Sequence, residues 1–181
     1  MAATQVFKSD IEAIRARARK HMMDGAVTGA YKADRDRVLE VLNEVLATEI
    51  VCVLRYKSHY YRARGIYKEP VAAEFLEHAA EEQAHADRVS ERIAQLGGEP
   101  NLNPEGLAAR SHSEYRGGES LRELIQEDLV AERIAVETYS EIIRWLADDD
   151  PTTRRMMEDI LAQEEEHADD LLDLLERSGE N

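Results

Sequence analysis

Apolar residues recur at helical spacing over Val38, Leu42, Val45, Leu46, Ile50, Val53 and Leu54, so the segment opened by Asp34 reads as one long helix reaching about Gly65. Capping and breaking residues divide the rest of the chain into elements of the same kind. Ser9-x-x-Glu12 has the form of a capping box, and "IEAIRARARKHMM" behind it predicts a short helix stopped by Gly25. "GIYKEP" predicts a turn, with Pro70 as the first residue of a second long helix that Gly97 and Gly98 end. Ser120-x-x-Glu123 is a second capping box and opens a third long helix. Asp150 then caps, and Pro151 begins, a fourth that runs to about Arg177. The one long connection is 97–118, between the second and third helices. This order predicts an all-α chain: 1–34 as an extension with a short helix, 35–177 as a four-helix bundle with one long crossover, and 178–181 as a tail.

Composition agrees with helices. Of 181 residues, 34% are charged and only 6% aromatic, which favours a helical domain over a sandwich or barrel, and 43% apolar is enough for a core. The net charge of −15 repels nucleic acid and membranes and attracts cations. Cys52, the single cysteine, excludes an internal disulfide and fits a reducing compartment. No apolar run approaches the length of a membrane span, and "MAATQVFKSDIEAI" lacks a signal-peptide core, so a cytoplasmic protein is expected.

The candidate chemistry comes from a repeat. "EQAHAD" at 82–87 and "EEEHAD" at 164–169 are both Glu-x-x-His-Ala-Asp. Upstream, "ATEIVCVLRY" and "VAERIAVETY" each place Glu seven residues before Tyr, as Glu49/Tyr56 and Glu132/Tyr139. The interval from that Glu to the Glu-x-x-His is 33 residues in the first half (49 to 82) and 32 in the second (132 to 164), so the domain is a duplicated helical hairpin. Residues three apart share a helix face, so Glu82 with His85, and Glu164 with His167, can each aim a carboxylate and an imidazole at one point. Glu49 and Glu132 stand among apolar neighbours that turn them inward. Four buried carboxylates need compensation, and two divalent cations supply it, with each histidine adding a neutral ligand. One Glu from each of two helices and Glu-x-x-His from each of the others is the arrangement of di-iron and di-manganese bundles.

On these motifs the chain resembles the ferritin-like superfamily, and within it the bacterioferritins. "LNEVLATEIVCVLRY", "EEQAHADRVSERIAQLGGEPNL", "EDLVAER" and "DILAQEEEHADDL" are similar to the signatures of their four helices, over about 36–177. The resemblance implies that Glu82 and Glu164 bridge two irons, that Glu49 and Glu132 are terminal carboxylates, and that His85 and His167 bind one iron each. It implies a ferroxidase that oxidises Fe(II) with O₂ or H₂O₂ and passes Fe(III) to storage, although the ligand types also suit Mn(II) or Zn(II).

Three features depart from the bacterioferritins. Gln83 stands where their haem-ligating methionine follows the bridging Glu, so no haem is expected. After His167 the chain only finishes the fourth helix, without a fifth that lines the channels of 24-subunit shells. The added N-terminal helix and the long crossover resemble Dps-like miniferritins, which implies a homo-oligomeric shell of twelve. A rubrerythrin-like peroxide reductase needs a Cys-x-x-Cys iron site that one cysteine cannot supply. The third reading is a Dps-type DNA-protecting shell with structural metals. It rests on the basic "RARARKH" at 15–21, and the net negative field opposes it.

The remaining candidates divide by role. Tyr56, about 20° from the Glu49 line, can hydrogen-bond a bridging carboxylate, whereas Tyr139 gives a weaker signal. Cys52 reads as a small interior hydrophobe, and Trp145, Tyr60 and Tyr61 as packing or subunit contacts. Asp87 and Asp169 are candidates to orient the ligands or to serve as surface ion pairs. Glu74, Glu77, Glu81, Glu123 and Glu127 read as a solvated face or a mineral-nucleating one. His21, His59, His78 and His112 show no paired spacing and are expected at the surface.

Overall fold

The computed structural model describes residues 8–64 and 68–177, and every regular element among them is helical. Six helices follow in order: α1 (Ile11–Lys20), α2 (Arg35–Arg62), α3 (Lys68–Gln95), α4 (Leu107–Arg110), α5 (Leu121–Leu146) and α6 (Pro151–Arg177). α2 pairs with α3, and α5 with α6. The two hairpins close into a four-helix bundle, with the long crossover running from α3 to α5.

Local signals start most of the helices where the sequence places them. Asp34 accepts the Arg37 N–H at 3.2 Å, and Ser120 and Glu123 form the reciprocal capping box. Asp150 accepts the Thr153 N–H at 2.9 Å. It also takes both contacts of Arg92 Nη2, at 2.9 and 3.1 Å, and the Tyr31 hydroxyl at 2.9 Å, so one carboxylate ties the start of α6 to α3 and to the extension.

Three boundaries differ. The cap of α1 is Asp10, which accepts the Ala13 N–H at 3.0 Å, and not Ser9. α1 ends at Lys20, short of Gly25, because it has no buried residue and nothing rewards a further turn; Met22 and Met23 are exposed. α3 begins at Lys68, so Pro70 sits inside the first turn, where its missing N–H costs no helical bond. Residues 65–67 of the expected turn and the tail 178–181 lie outside the described residues.

The core is split into two clusters. One gathers Val38, Leu42, Val45 and Leu46 with Val89, Ile93, Tyr139, Ile142, Met157 and Ile160. The other gathers Tyr56, Val71, Phe75, Ala79, Leu124, Ile125 and Leu171. Along each long helix, one glutamate of the predicted set stands between the two: Glu49, Glu82, Glu132 and Glu164. Leu54, placed in the apolar stripe from spacing, points outward and is half exposed.

A second polar layer lies beside Cys52. Arg55 and Asp128 are fully buried and paired at 2.9 Å, and His59 Nδ1 lies 2.8 Å from the other Asp128 oxygen. His59 Nε2 reaches the Arg116 carbonyl, and Arg55 reaches Ser113 and Glu114 in the crossover. His59 is therefore a buried link between α2, α5 and the crossover, and not a surface residue. Asp128→Ala strands the Arg55 charge in the core and should destabilise the fold by about 3–5 kcal/mol in denaturant titration.

Candidate metal centre

All six predicted residues meet in the polar gap between the two core clusters. Glu49, Glu82, His85, Glu132, Glu164 and His167 are each at most 2% exposed. His85 Nδ1 lies 3.3 Å from Glu49 Oε2, 3.6 Å from Glu82 Oε2 and 3.1 Å from Glu164 Oε1. His167 Nδ1 lies 3.7 Å from Glu82 Oε1, 3.9 Å from Glu132 Oε2 and 3.5 Å from Glu164 Oε2. The donors thus sort into two four-atom groups, each spanning less than 4.8 Å. Glu82 and Glu164 belong to both, while Glu49 and Glu132 each belong to one.

The outer atoms of these side chains are held by the protein. Tyr139 donates its hydroxyl to Glu49 Oε1, and Tyr56 donates to Glu132 Oε1. Each tyrosine crosses to the opposite hairpin and holds a carboxylate that belongs to one donor group. Tyr56 was expected on a shared carboxylate, and Tyr139 now has an equal part. His167 Nε2 lies 2.8 Å from Glu81 Oε2, which accepts, so Nε2 carries a proton and Nδ1 faces inward, where it offers a lone pair once the ring is neutral. His85 Nε2 meets Gln163 Oε1 at 3.0 Å in the same sense. Asp87 and Asp169 do neither. Both are exposed, and Asp87 accepts from Gln83.

The inner atoms have no such partners. Glu49 Oε2, Glu82 Oε1, His85 Nδ1, Glu132 Oε2, both Glu164 oxygens and His167 Nδ1 are buried without a hydrogen bond. Orphaned atoms of this kind are costly, and here they converge. Two divalent cations fit the donor set, because carboxylate and imidazole suit Fe, Mn or Zn and the charges cancel. Tyr139→Phe leaves Glu49 Oε1 without its donor and should weaken metal binding about 10–100-fold, measured by competition with a chromophoric chelator.

Electrostatics mark the same division. Burial first, and then the Glu82 charge, push Glu49 up to about 8. Burial, Glu82 and Glu164 raise Glu132 well above the usual carboxylate range. Burial and the neighbouring carboxylates raise Glu82 and Glu164 as well, but the nearby imidazoles of His167 and His85 outweigh this and hold both low. His167 is opposed by burial and yet raised to about 11 by Glu164 and Glu82, and His85 is raised likewise. Without metal, the raised carboxyls of Glu49 and Glu132 and the raised imidazoles of His85 and His167 move the centre's charge toward balance.

His78 contradicts its expected surface position. It is 1% exposed, stacks on His167 with centroids 4.1 Å apart, and places Nδ1 3.2 Å from the Tyr56 hydroxyl. Its sequence signal was position: His78, Glu82 and His85 lie four and three apart on one face of α3.

A four-helix bundle enclosing this cluster has the form of a di-metal carboxylate protein. The chain belongs to the ferritin-like domain family, whose pattern matches residues 39–178. It is 33% identical to the bacterioferritin of Brucella melitensis biotype 1 over 149 residues, covering 80% of this chain and 88% of the relative. The dodecameric thioferritin of Bacteroides fragilis, a bacterioferritin-related protein, superposes with a TM-score of 0.77 at 32% identity, covering 81% of this chain and 88% of that one. The bacterioferritin of Rhodobacter capsulatus superposes at 0.68 with 29% identity, over 80% and 86%; its structure holds a metal-free dinuclear site and haem iron. At the level of the family, these likenesses support iron storage and ferroxidase chemistry. No described helix is long and apolar enough to cross a membrane.

Proposed function

We propose that the chain is a ferroxidase of the cytoplasm that stores or detoxifies iron, oxidising Fe(II) with O₂ or H₂O₂ at an intra-subunit di-iron centre. The observation that carries this is the set of buried, unpartnered donor atoms converging in two groups that share Glu82 and Glu164. Glu49 and His85 would hold one ion, Glu132 and His167 the other, with Glu82 and Glu164 between them. Bound there, two Fe(II) would supply two electrons and become two Fe(III), which with two protons from solvent would reduce O₂ to H₂O₂ or H₂O₂ to two waters. The protein's residues fix the geometry. Tyr56 and Tyr139 keep the outer carboxylate oxygens from turning, and Glu81 and Gln163 orient the imidazoles. The two core clusters keep bulk water from the gap.

Mixing metal-free protein with Fe(II) anaerobically and then admitting air tests the reading. Fast growth of near-ultraviolet absorbance and retention of many irons per chain are expected; two bound metals that never oxidise would leave a structural role. Mn(II) and Zn(II) should compete for the same donors. No haem is expected to bind, because Gln83 offers no thioether and its amide bonds Asp87.

We further propose a homo-oligomeric shell of twelve, as in the Bacteroides fragilis relative. α1 leaves Ile11 and Ile14 uncovered, and Tyr61 and Trp145 are also exposed, which suits contacts with neighbouring copies. Light scattering should give twelve times the 20.6 kDa chain mass; twenty-four copies would refute the proposal.

A further inference from the structure

Beside the buried centre, one imidazole nitrogen is left without a hydrogen bond. His78 Nδ1 contacts the hydroxyl of Tyr56, whose single proton goes to Glu132. The His78 contact is therefore an N–H donated into the hydroxyl oxygen. A neutral imidazole has one proton, so Nε2 presents a lone pair. That lone pair faces Glu74 Oε1 at 3.3 Å and Asp170 Oδ2 at 3.9 Å, neither in hydrogen-bond geometry. Three acceptors converge with no donor among them, and a cation satisfies all three. Their spacing is close to the edge of a tetrahedral site with bonds of about 2.1 Å, roughly 3.4 Å.

We propose that Glu74, His78 and Asp170 bind a third divalent cation at the rim of the buried centre, against its His167 end. The donor set is mixed nitrogen and oxygen, which suits Zn(II), Mn(II) or Fe(II) over Ca(II). His78 is the buried anchor, while the side chains of Glu74 and Asp170 are 29% and 50% exposed, so an ion arrives there directly from solvent. The duplicated hairpin does not repeat the site. In α6 the positions matching Glu74 and His78, eight and four residues before the Glu-x-x-His, are Met156 and Ile160, both packed in the core. The centre thus has one end with a solvent-facing outer ligand set and one end without. The proposal deepens the di-metal reading by giving it a loading or release position, and its test is separable from that reading.

Metal-free full-length protein and the E74Q/D170N variant are each equilibrated with Zn(II) and the bound metal is counted. Both replacements are isosteric, reach solvent, and leave the His78–Tyr56 contact in place. The wild type should hold one zinc per chain more than the variant, three against two, and a zinc-soaked wild-type crystal should give an anomalous peak bonded to His78 Nε2. Equal counts would overturn the third site whatever the total. Fewer than two in the variant would instead count against the buried pair, so the two readings fail separately.

Discussion

Glu164→Gln protein should oxidise Fe(II) at least about 100-fold more slowly than the wild type while remaining folded. Glu164 belongs to both donor groups, and neither of its oxygens has any other partner. An amide keeps the volume but offers one weaker oxygen and turns an N–H toward one ion. Loss of a residue that only supports a ligand costs 10–100-fold, so loss of a shared ligand should cost no less. Glu82→Gln should behave alike, because Glu82 occupies the matching place in the other hairpin. Stopped-flow absorbance after mixing with Fe(II) and O₂ measures the effect. Circular dichroism on the metal-free variant separates lost chemistry from lost fold. A variant with wild-type initial rates would remove Glu164 from the centre.

The second large effect is a release of protons. With Glu49 pushed up to about 8, His167 to about 11, and Glu132 and His85 raised in the same direction, the metal-free centre should carry a proton on each of the two carboxyls and an extra one on each imidazole at pH 7. Ligands bind as carboxylate and neutral imidazole, so loading two Zn(II) per chain should release about four protons. Calorimetry in buffers of differing ionisation enthalpy gives the number, and a value near zero would contradict the assignment. Lowering the pH from 7 to 6 should then weaken the product of the two binding constants by about 10⁴. Above about 8, where Glu49 is already ionised, release should fall towards three.

The same shifts set the stability of the metal-free bundle. Glu49 is raised from its ordinary 4.5, so its contribution is complete below that value and is lost as pH rises through about 8. His167 is raised from 6.5, and its contribution is lost as pH rises towards 11. Glu82 and Glu164 are lowered, and theirs is lost in acid. The metal-free centre therefore weakens the fold as pH rises, and bound cations should remove most of that dependence.

The starts of α2, α5 and α6 were legible because their signals are local: Asp34, Ser120, Asp150 and Pro151 act on residues within one turn, while Pro70 marked α3 to within two residues. The six clustered side chains were legible because duplication writes the same three positions twice. What escaped depends on partners far along the chain. His59 is buried by Asp128 on another helix, and His78 by Tyr56 and His167, so a search for paired histidine spacing passes over both. Asp87 and Asp169 could have been set aside from sequence, because two residues past each histidine is about 200° round the helix. Glu81 and Gln163, which do orient the histidines, precede the shared glutamates and bond across the bundle.

The central claim is that six side chains from two hairpins hold a pair of metal ions between the halves of the core. Anomalous diffraction from crystals soaked anaerobically in Fe(II) tests it most directly. Two peaks are predicted in the gap, one beside Glu49 and His85 and one beside Glu132 and His167, with Glu82 and Glu164 touching both. An empty gap, or iron found only on the acidic surface, would contradict it.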